Sequence, residues 1–341
     1  MSLDNLSELL HKKIYTWMIT GVAGFIGSNI LEFLLQQNQK VIGIDNFVNG
    51  NKNNIEDALS SVTSKQKMNF IFYEIDICEQ SKLDKLKVNK IDFILHQAAL
   101  GSVPKSIKFP LEFNKTNVNG FLNILNFANK NKIKKVIYAS SSSVYGNNNS
   151  KIKEEDNVGD CLSPYALTKK INELYALNFF NVYGLSSIGL RYFNVFGPRQ
   201  NPEGEYAAVI PKWISCILNN KNFFIYGDGR TSRDFTYVSN VIQANILAAL
   251  TKNKINENKI YNVGVGETIS LNKLSLNLFH AFDSLNFSIK SKKNYKPFRK
   301  GDIKYSRASI NNIKSELGFF PNNNFKLNLE KTIKWYLKKQ K

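Results

Sequence analysis

Three glycines, Gly21, Gly24 and Gly27, mark the joint between an apolar run, Tyr15 to Thr20, and a segment of helical apolar periodicity that continues through Leu35. A strand, a glycine turn and a helix in that order open a dinucleotide-binding βαβ unit. The helix N-terminus turns N–H groups toward a pyrophosphate, with Phe25 and Ile26 in its first turn, and glycine lets the backbone come close. An ordinary βαβ turn needs glycine too, so the next strand carries weight. It runs from Lys40 to Ile44 and ends at Asp45, 18 residues after Gly27. A carboxylate there bonds an adenosine ribose diol and repels a 2′-phosphate, which favours NAD over NADP. Asn46, Asn49 and Gly50 follow in a polar turn, either a cover for that ribose or a plain surface turn.

The rhythm continues. Asn69 to Tyr73, Ile91 to Leu95, Val136 to Ala139 and Leu185 to Tyr192 read as further buried strands, with a long helix from Leu111 to Asn131 before Val136. This alternation predicts an α/β fold: a Rossmann-type doubly wound parallel sheet that takes its ligands at the carboxyl ends of the strands. At those ends stand Asp76 and Ile77, which suit an adenine amino group and ring; a solvated strand-end carboxylate is the alternative. Gln97-Ala98-Ala99 lets a backbone approach the pyrophosphate–ribose side of a cofactor, and Ser140 to Ser143 close the fifth strand. Asn117 is expected to face the same edge, whereas His96 reads as a satisfied core histidine. Glu154, Glu155 and Asp156, in the polar stretch from Asn147 to Gly159, read as solvated. Beyond Tyr192 the βα rhythm breaks, and a smaller C-terminal α/β substrate lobe is expected. The NAD-binding domain would take 14–195 with a return segment at 237–262; the second lobe would take 196–236 and 263–341.

Composition sets bounds. At 341 residues and 43% hydrophobic, the chain can bury a full core. Cys78, Cys161 and Cys216 are too few and scattered for a disulfide framework or a zinc site, so a reducing cytoplasm and no metal are expected. Met1 to Lys13 lacks the apolar core of a signal peptide, and Ala244 to Leu250 is too short to span a membrane. The formal charge of +19 comes from dispersed lysines, without an aromatic-plus-arginine signature, so it argues for attraction of anionic substrates rather than nucleic acid.

Ser163-Pro164-Tyr165-Ala166-Leu167-Thr168-Lys169 supplies the chemistry. Pro164 suits the first position of a helix, and Tyr165 and Lys169, four apart, then share one face. Lowering a phenol from about 10 to near 7 takes roughly 4 kcal/mol. An ammonium at about 6 Å supplies on the order of 3 kcal/mol at an effective dielectric near 20, and a cationic cofactor ring can supply the rest.

Taken together, GVAGFIG, DNF, HQAA, SSSSVYG, SPYALTK, LRYFNVFGP, GDGRTSRDF and FRKGD resemble the extended short-chain dehydrogenase/reductases acting on nucleotide sugars. Within these the chain is most similar to bacterial UDP-N-acetylglucosamine 4-epimerases of O-antigen and capsule pathways, over nearly its whole length. The glycine spacing G-x-x-G-x-x-G is shared with that group. The resemblance implies Tyr165 as acid and base at the sugar 4-hydroxyl, Lys169 lowering its pKa and holding the nicotinamide ribose, and Ser141 bonding the same hydroxyl. It implies Ser102, Ser142 and Ser143 in the sugar pocket, Tyr192 at the cofactor, and Asn194, Arg233 and Arg299 on the diphosphate. Asp302 would bind ribose hydroxyls, and Ala208, Val209, Lys212, Trp213 and Tyr226 would surround the uridine, with core packing an equal reading for Trp213. Ser306 falls where epimerases restricted to non-acetylated sugars carry a bulky tyrosine, which favours N-acetylated substrates; Tyr305 stands next to it. A homodimer is implied, through the Leu111–Asn131 and Ser163–Tyr183 helices.

The reaction implied is reversible oxidation at C4 with NAD, rotation of the 4-keto sugar, and reduction on its other face. A 4,6-dehydratase needs an acidic pair where this chain has Ser142 and Ser143. A UDP-N-acetylglucosaminuronate 4-epimerase and a non-catalytic NAD-binding sensor remain as rival readings.

Overall fold

The structure, a computed structural model, describes residues 3–86, 90–203, 207–251, 258–298 and 304–340. Seven strands make the main sheet: β1 (Thr16–Thr20), β2 (Lys40–Asp45), β3 (Phe70–Glu74), β4 (Phe93–His96), β5 (Lys135–Ser141), β6 (Ser187–Tyr192) and β7 (Asn258–Val263). Every pairing is parallel, and the order across the sheet is β7-β6-β5-β4-β1-β2-β3. The chain starts at β1, winds out to β3, then crosses back past β1 to β4, so the switch point lies between β1 and β4. This is the expected Rossmann-type α/β fold.

Alternation along each strand explains the two buried layers. Trp17 and Ile19 face one layer, with Leu95, Ile137, Ile188 and Leu190; Met18 faces the other, with Ile44, Ile94, Val136 and Tyr138. Helix Phe25–Gln36 and helix Val238–Leu250 cover the first layer, and helices Gly120–Lys130 and Pro164–Tyr183 the second. β7 follows helix Val238–Leu250, so chain from beyond the rhythm break completes the sheet beside β6.

A third apolar cluster lies apart, built on helices Val209–Leu218, Leu271–Asp283 and Phe325–Gln340 with the strand Phe223–Tyr226. A four-stranded sheet ties this region to the main body, in the order Ile269–Ser270, Ser232–Arg233, Tyr305–Ala308, Ile152–Lys153. Its last strand corrects the reading of Asn147 to Gly159 as a polar loop whose three acids are solvated. Lys153 and Glu155 are buried, and Glu155 accepts from the Asn262 backbone N–H at 3.0 Å and from Asn312 Nδ2 at 3.0 Å. Only Glu154 and Asp156 of the three acids face solvent.

The expected helix from Leu111 to Asn131 is likewise interrupted. It is helical over Pro110–Asn114, widens to a π turn over Lys115–Asn119, and resumes over Gly120–Lys130. Among the described residues no helix is long and apolar enough to cross a membrane.

Candidate active site

Sterics fix the glycine turn. Gly21 has φ +72°, and a Cβ on it would lie 2.6 Å from the Ala98 nitrogen; a Cβ on Gly27 would lie 2.1 Å from the Gly21 carbonyl oxygen. Backbone blocks both, so no rotamer change makes room. No side chain caps the helix that starts at Phe25, which leaves its first N–H groups turned outward. Asp45 closes the turn from β2, accepting from the Ala23 N–H at 2.9 Å and the Phe47 N–H at 2.8 Å. Burial raises its pKa, and these backbone donors oppose the rise.

A cavity of about 590 Å³ opens above the strand ends. Asp76 and Ile77, past β3, line one end with Asp45, Asn46, Asn49 and Gly50, and Gly21, Gly24, Phe25, Ile26, Gly27, Gln97, Ala98 and Ala99 line its middle. Ser141, Tyr165, Lys169, Tyr192 and Asn194 line the other end. The structure therefore gathers nearly every residue expected at a dinucleotide around one space. Asn117 is the exception. It is buried on the π turn, where its side chain accepts from the Leu100 N–H at 2.8 Å and donates to the Leu100 carbonyl and to Thr168 Oγ1, each at 3.1 Å. It ties the loop after β4 to the tyrosine helix rather than lining the cavity, and the π turn is what aims it.

The Tyr165 helix starts where the sequence places it. Ser163 Oγ accepts from the Ala166 N–H at 3.1 Å, with Pro164 at the first helical position. Tyr165 and Lys169 then face the end of β5. Lys169 Nζ donates to the Ala139 carbonyl at 2.8 Å and stands 6.0 Å from the Tyr165 ring centre. Burial lowers the Lys169 pKa to about 8; burial raises that of Tyr165, opposed by a hydrogen bond with Ser141. Ser141 Oγ also accepts from the Ser143 N–H at 3.1 Å, which starts the tight turn Ser142–Tyr145. Ser142 and Ser143 are half-buried on that turn, and neither lines this cavity or the one that adjoins it.

A second cavity of about 740 Å³ adjoins the first, and both share Asn194 and Val195. Ala208, Val209, Lys212, Trp213, Tyr226 and Arg233 line it, as expected of a nucleotide pocket, together with Phe196, Phe224 and Phe235. Trp213 lines this wall and also packs on Phe223, ring centres 4.7 Å apart. Asn194 adopts φ +32° and donates from Nδ2 to the Asp234 carbonyl at 3.1 Å, joining the two regions. Ser102 sits between Gly101 in the first wall and Val103 in the second, and its Oγ caps the Lys105 N–H at 3.3 Å. Ser306 pairs in register with Arg233 but lies outside both walls. Arg299 and Asp302 fall outside the described residues.

Sequence reasoning missed the polar scaffold behind these walls. His96 alone was anticipated as a core residue: it is buried, its Nδ1 meets Thr20 Oγ1 at 2.8 Å while its Nε2 has no hydrogen-bond partner, and burial lowers its pKa to about 3, so it stays neutral. Ser140 Oγ donates to Glu173 at 2.7 Å, and Arg191 clamps that carboxylate. Arg199, also buried, pairs with Asp57 at 2.7 Å and with Glu32. Asn245 bonds both Gln97 and Tyr192. A charged residue inside an apolar run was the available signal for Arg191, and an amide in an alanine-rich helix for Asn245; neither pattern names the partner.

The model of the NAD dependent epimerase/dehydratase family matches residues 17–264. A putative UDP-glucose 4-epimerase of Methanocaldococcus jannaschii is 35% identical over 93% of this chain and 97% of its own length. Among solved structures, a UDP-N-acetylglucosamine 4-epimerase from Methanobrevibacter ruminantium M1, in complex with UDP-N-acetylmuramic acid, superposes with a TM-score of 0.84 at 39% identity, covering 96% of this chain and 99% of that one. A UDP-glucuronic acid 4-epimerase from Bacillus cereus, in complex with UDP-glucuronic acid and NAD, gives a TM-score of 0.80 at 28% identity, covering 95% and 99%. A glycine turn that admits no Cβ, the Asp45 carboxylate and the Tyr165–Lys169 pair are thus found on a chain that belongs to the NAD dependent epimerase/dehydratase family.

Proposed function

We propose that the protein is an NAD-dependent 4-epimerase that interconverts UDP-N-acetylglucosamine and UDP-N-acetylgalactosamine. One observation carries the reading: Ser141, Tyr165 and Lys169 stand at the end of the dinucleotide cavity that shares Asn194 and Val195 with the aromatic cavity. A hexose whose uridine diphosphate lies in the aromatic cavity meets the phenol at that junction.

Tyr165 takes the proton from the 4-hydroxyl and returns it on the other face, and Ser141 holds the same hydroxyl. Lys169 supplies positive charge to the phenolate, with its own place set by the Ala139 carbonyl. The residues present fit NAD, because the turn at Gly21 and Gly27 admits backbone contact and Asp45 waits at the end of β2. Bound there, NAD would supply reversible hydride acceptance at C4.

Arg233, with Asn194, takes the diphosphate, and Trp213, Tyr226, Ala208, Val209 and Lys212 take the uridine. We assign Arg299 to the diphosphate and Asp302 to the ribose from the sequence alone. Ser142 and Ser143 bring no carboxylate to carry proton transfer at C5 and C6, which supports epimerisation over 4,6-dehydration. From the sequence alone we assign Ser306 as the small residue that leaves room for an acetamido group; it pairs in register with Arg233 and lines neither cavity. In this reading the main sheet serves NAD, and the region of the third apolar cluster grips the nucleotide while the hexose turns. Exposed Leu111, Leu167 and Leu174 support a homodimer through the helices that bear them.

The test uses purified protein given UDP-N-acetylglucosamine, UDP-glucose or UDP-N-acetylglucosaminuronate separately, with 4-epimers quantified by NMR. Conversion of UDP-N-acetylglucosamine with little of the others is expected. Preference for UDP-glucose overturns the Ser306 argument, and preference for the uronate replaces the substrate. No conversion of any, even with added NAD, overturns the enzyme reading.

A further inference from the structure

Asn245 supports the dinucleotide cavity from behind without lining it. It lies fully buried on helix Val238–Leu250. Its Nδ2 donates to the Val241 carbonyl at 2.8 Å and to the Tyr192 hydroxyl oxygen at 2.9 Å. Its Oδ1 accepts from Gln97 Nε2 at 3.0 Å, and the Tyr192 hydroxyl donates to Gln97 Oε1 at 3.1 Å. The three side chains therefore close a ring of hydrogen bonds, each donating once and accepting once within it.

The direction of the ring is forced. A backbone carbonyl only accepts, so the Asn245 atom facing Val241 is Nδ2, and its two hydrogens are both used. Tyr192 must then accept from Asn245, and its single proton goes to Gln97. Gln97 is left with Oε1 toward Tyr192 and one Nε2 hydrogen beyond the ring. Both Gln97 and Tyr192 line the cavity, so the polarity they show a ligand is set by Asn245. The neighbouring buried amides on this helix bond elsewhere: Asn240 pairs with the backbone of Asn322, and Gln243 with that of Phe320.

We propose that Asn245 is a positioning residue for the dinucleotide, acting through the ring it closes with Gln97 and Tyr192. The proposal rests on the NAD-binding reading above and adds a residue from the strand-completing return segment to it.

The experiment measures NAD and UDP affinities, by calorimetry on protein freed of NAD, for the wild type, Asn245→Ala and Asn245→Asp. Aspartate keeps the shape but lacks the two Nδ2 hydrogens, so it loses at least one of the donations to Val241 and Tyr192 and carries the test if the alanine variant fails to fold. The expected result is NAD binding weakened about tenfold with UDP binding unchanged, since one or two hydrogen bonds are lost on the NAD side alone. Adding Asn245→Asp to Tyr192→Phe should then cost little beyond the larger single effect. NAD affinity within twofold of the wild type, or NAD and UDP affinities falling together, overturns the proposal. A wild type that binds UDP but no NAD overturns the cofactor reading instead.

Discussion

Arg191 and Glu173 form a two-pronged ion pair, Nε to Oε1 at 2.8 Å and Nη2 to Oε2 at 2.9 Å, with both side chains 2% exposed. Glu173 lies two helical turns beyond Tyr165, and Ser140, the neighbour of Ser141, donates to the same carboxylate. Arg191 Nη1 reaches on to the Tyr145 hydroxyl at 3.0 Å and the Glu155 carbonyl at 2.8 Å. All three guanidinium nitrogens donate, and the carboxylate raises its pKa further above the ordinary value. The pair thus pins the tyrosine helix, the serine turn and the 146–160 segment together.

Removing one partner should be costly. Arg191→Met leaves a buried carboxylate without its cation, and a loss of about 3–5 kcal/mol is expected. Urea unfolding followed by circular dichroism measures it. The double variant Arg191→Met with Glu173→Leu should recover part of the loss, because an apolar pair removes the charge along with its partner.

Gly27→Ala tests the turn. Its Cβ would fall 2.1 Å from the Gly21 carbonyl oxygen, and the turn can yield only by moving the backbone that faces the pyrophosphate. The NAD content of purified protein, assayed after heat release, should fall at least tenfold.

The buried lysine gives a pH dependence with a definite sign. Lys169 has a pKa of about 8 in the folded chain against an ordinary 10.5. Between those values the unfolded chain holds the proton that the folded chain has released, so stability rises with pH across this window. Below pH 8 the ammonium is buried at full cost. Without NAD, the stability of Lys169→Met minus that of the wild type should therefore shrink between pH 8 and 10. Denaturant titrations at the two pH values supply the numbers, and a constant difference would contradict the assignment.

Leu111, Leu167 and Leu174 are 83%, 50% and 55% exposed on adjoining helices. If they bury one another across a twofold axis, Leu174→Glu together with Leu111→Glu should halve the molar mass seen by light scattering at micromolar concentration. Cooperative unfolding should persist, since neither side chain belongs to the core. An unchanged mass would rule out this interface.

Tyr165→Phe separates an enzyme from a sensor. Turnover should drop by about 10²–10⁴ with loss of the acid–base group. NAD should stay bound, because the ring and its contacts within the helix remain.

The strands and the glycine turn were legible because their causes are local. Trp17 to Ile19 must be apolar on alternate faces of a buried strand, and Gly21 must be glycine where its φ is +72°. Ser163 and Pro164 announce the start of a helix within two residues. Glu155 was misread for the opposite reason: its flanks Glu154 and Asp156 are solvated, and nothing in the stretch reveals that Asn262 and Asn312 arrive with donors. The π turn over Lys115–Asn119 has no pattern of its own either, yet it turns Asn117 onto Leu100 and Thr168.

The sequence by itself determined the element order, the dinucleotide end of the sheet and the one-turn spacing of Tyr165 and Lys169. Each of these follows from side-chain periodicity or backbone sterics within a few residues. Only the tertiary structure decided that the two cavities meet at Asn194 and Val195, that Arg191 pairs with Glu173, and that Asn245 reaches Gln97 across 148 positions of chain. A buried polar group must find a partner wherever the folded chain brings one, and that choice is settled by packing between distant segments.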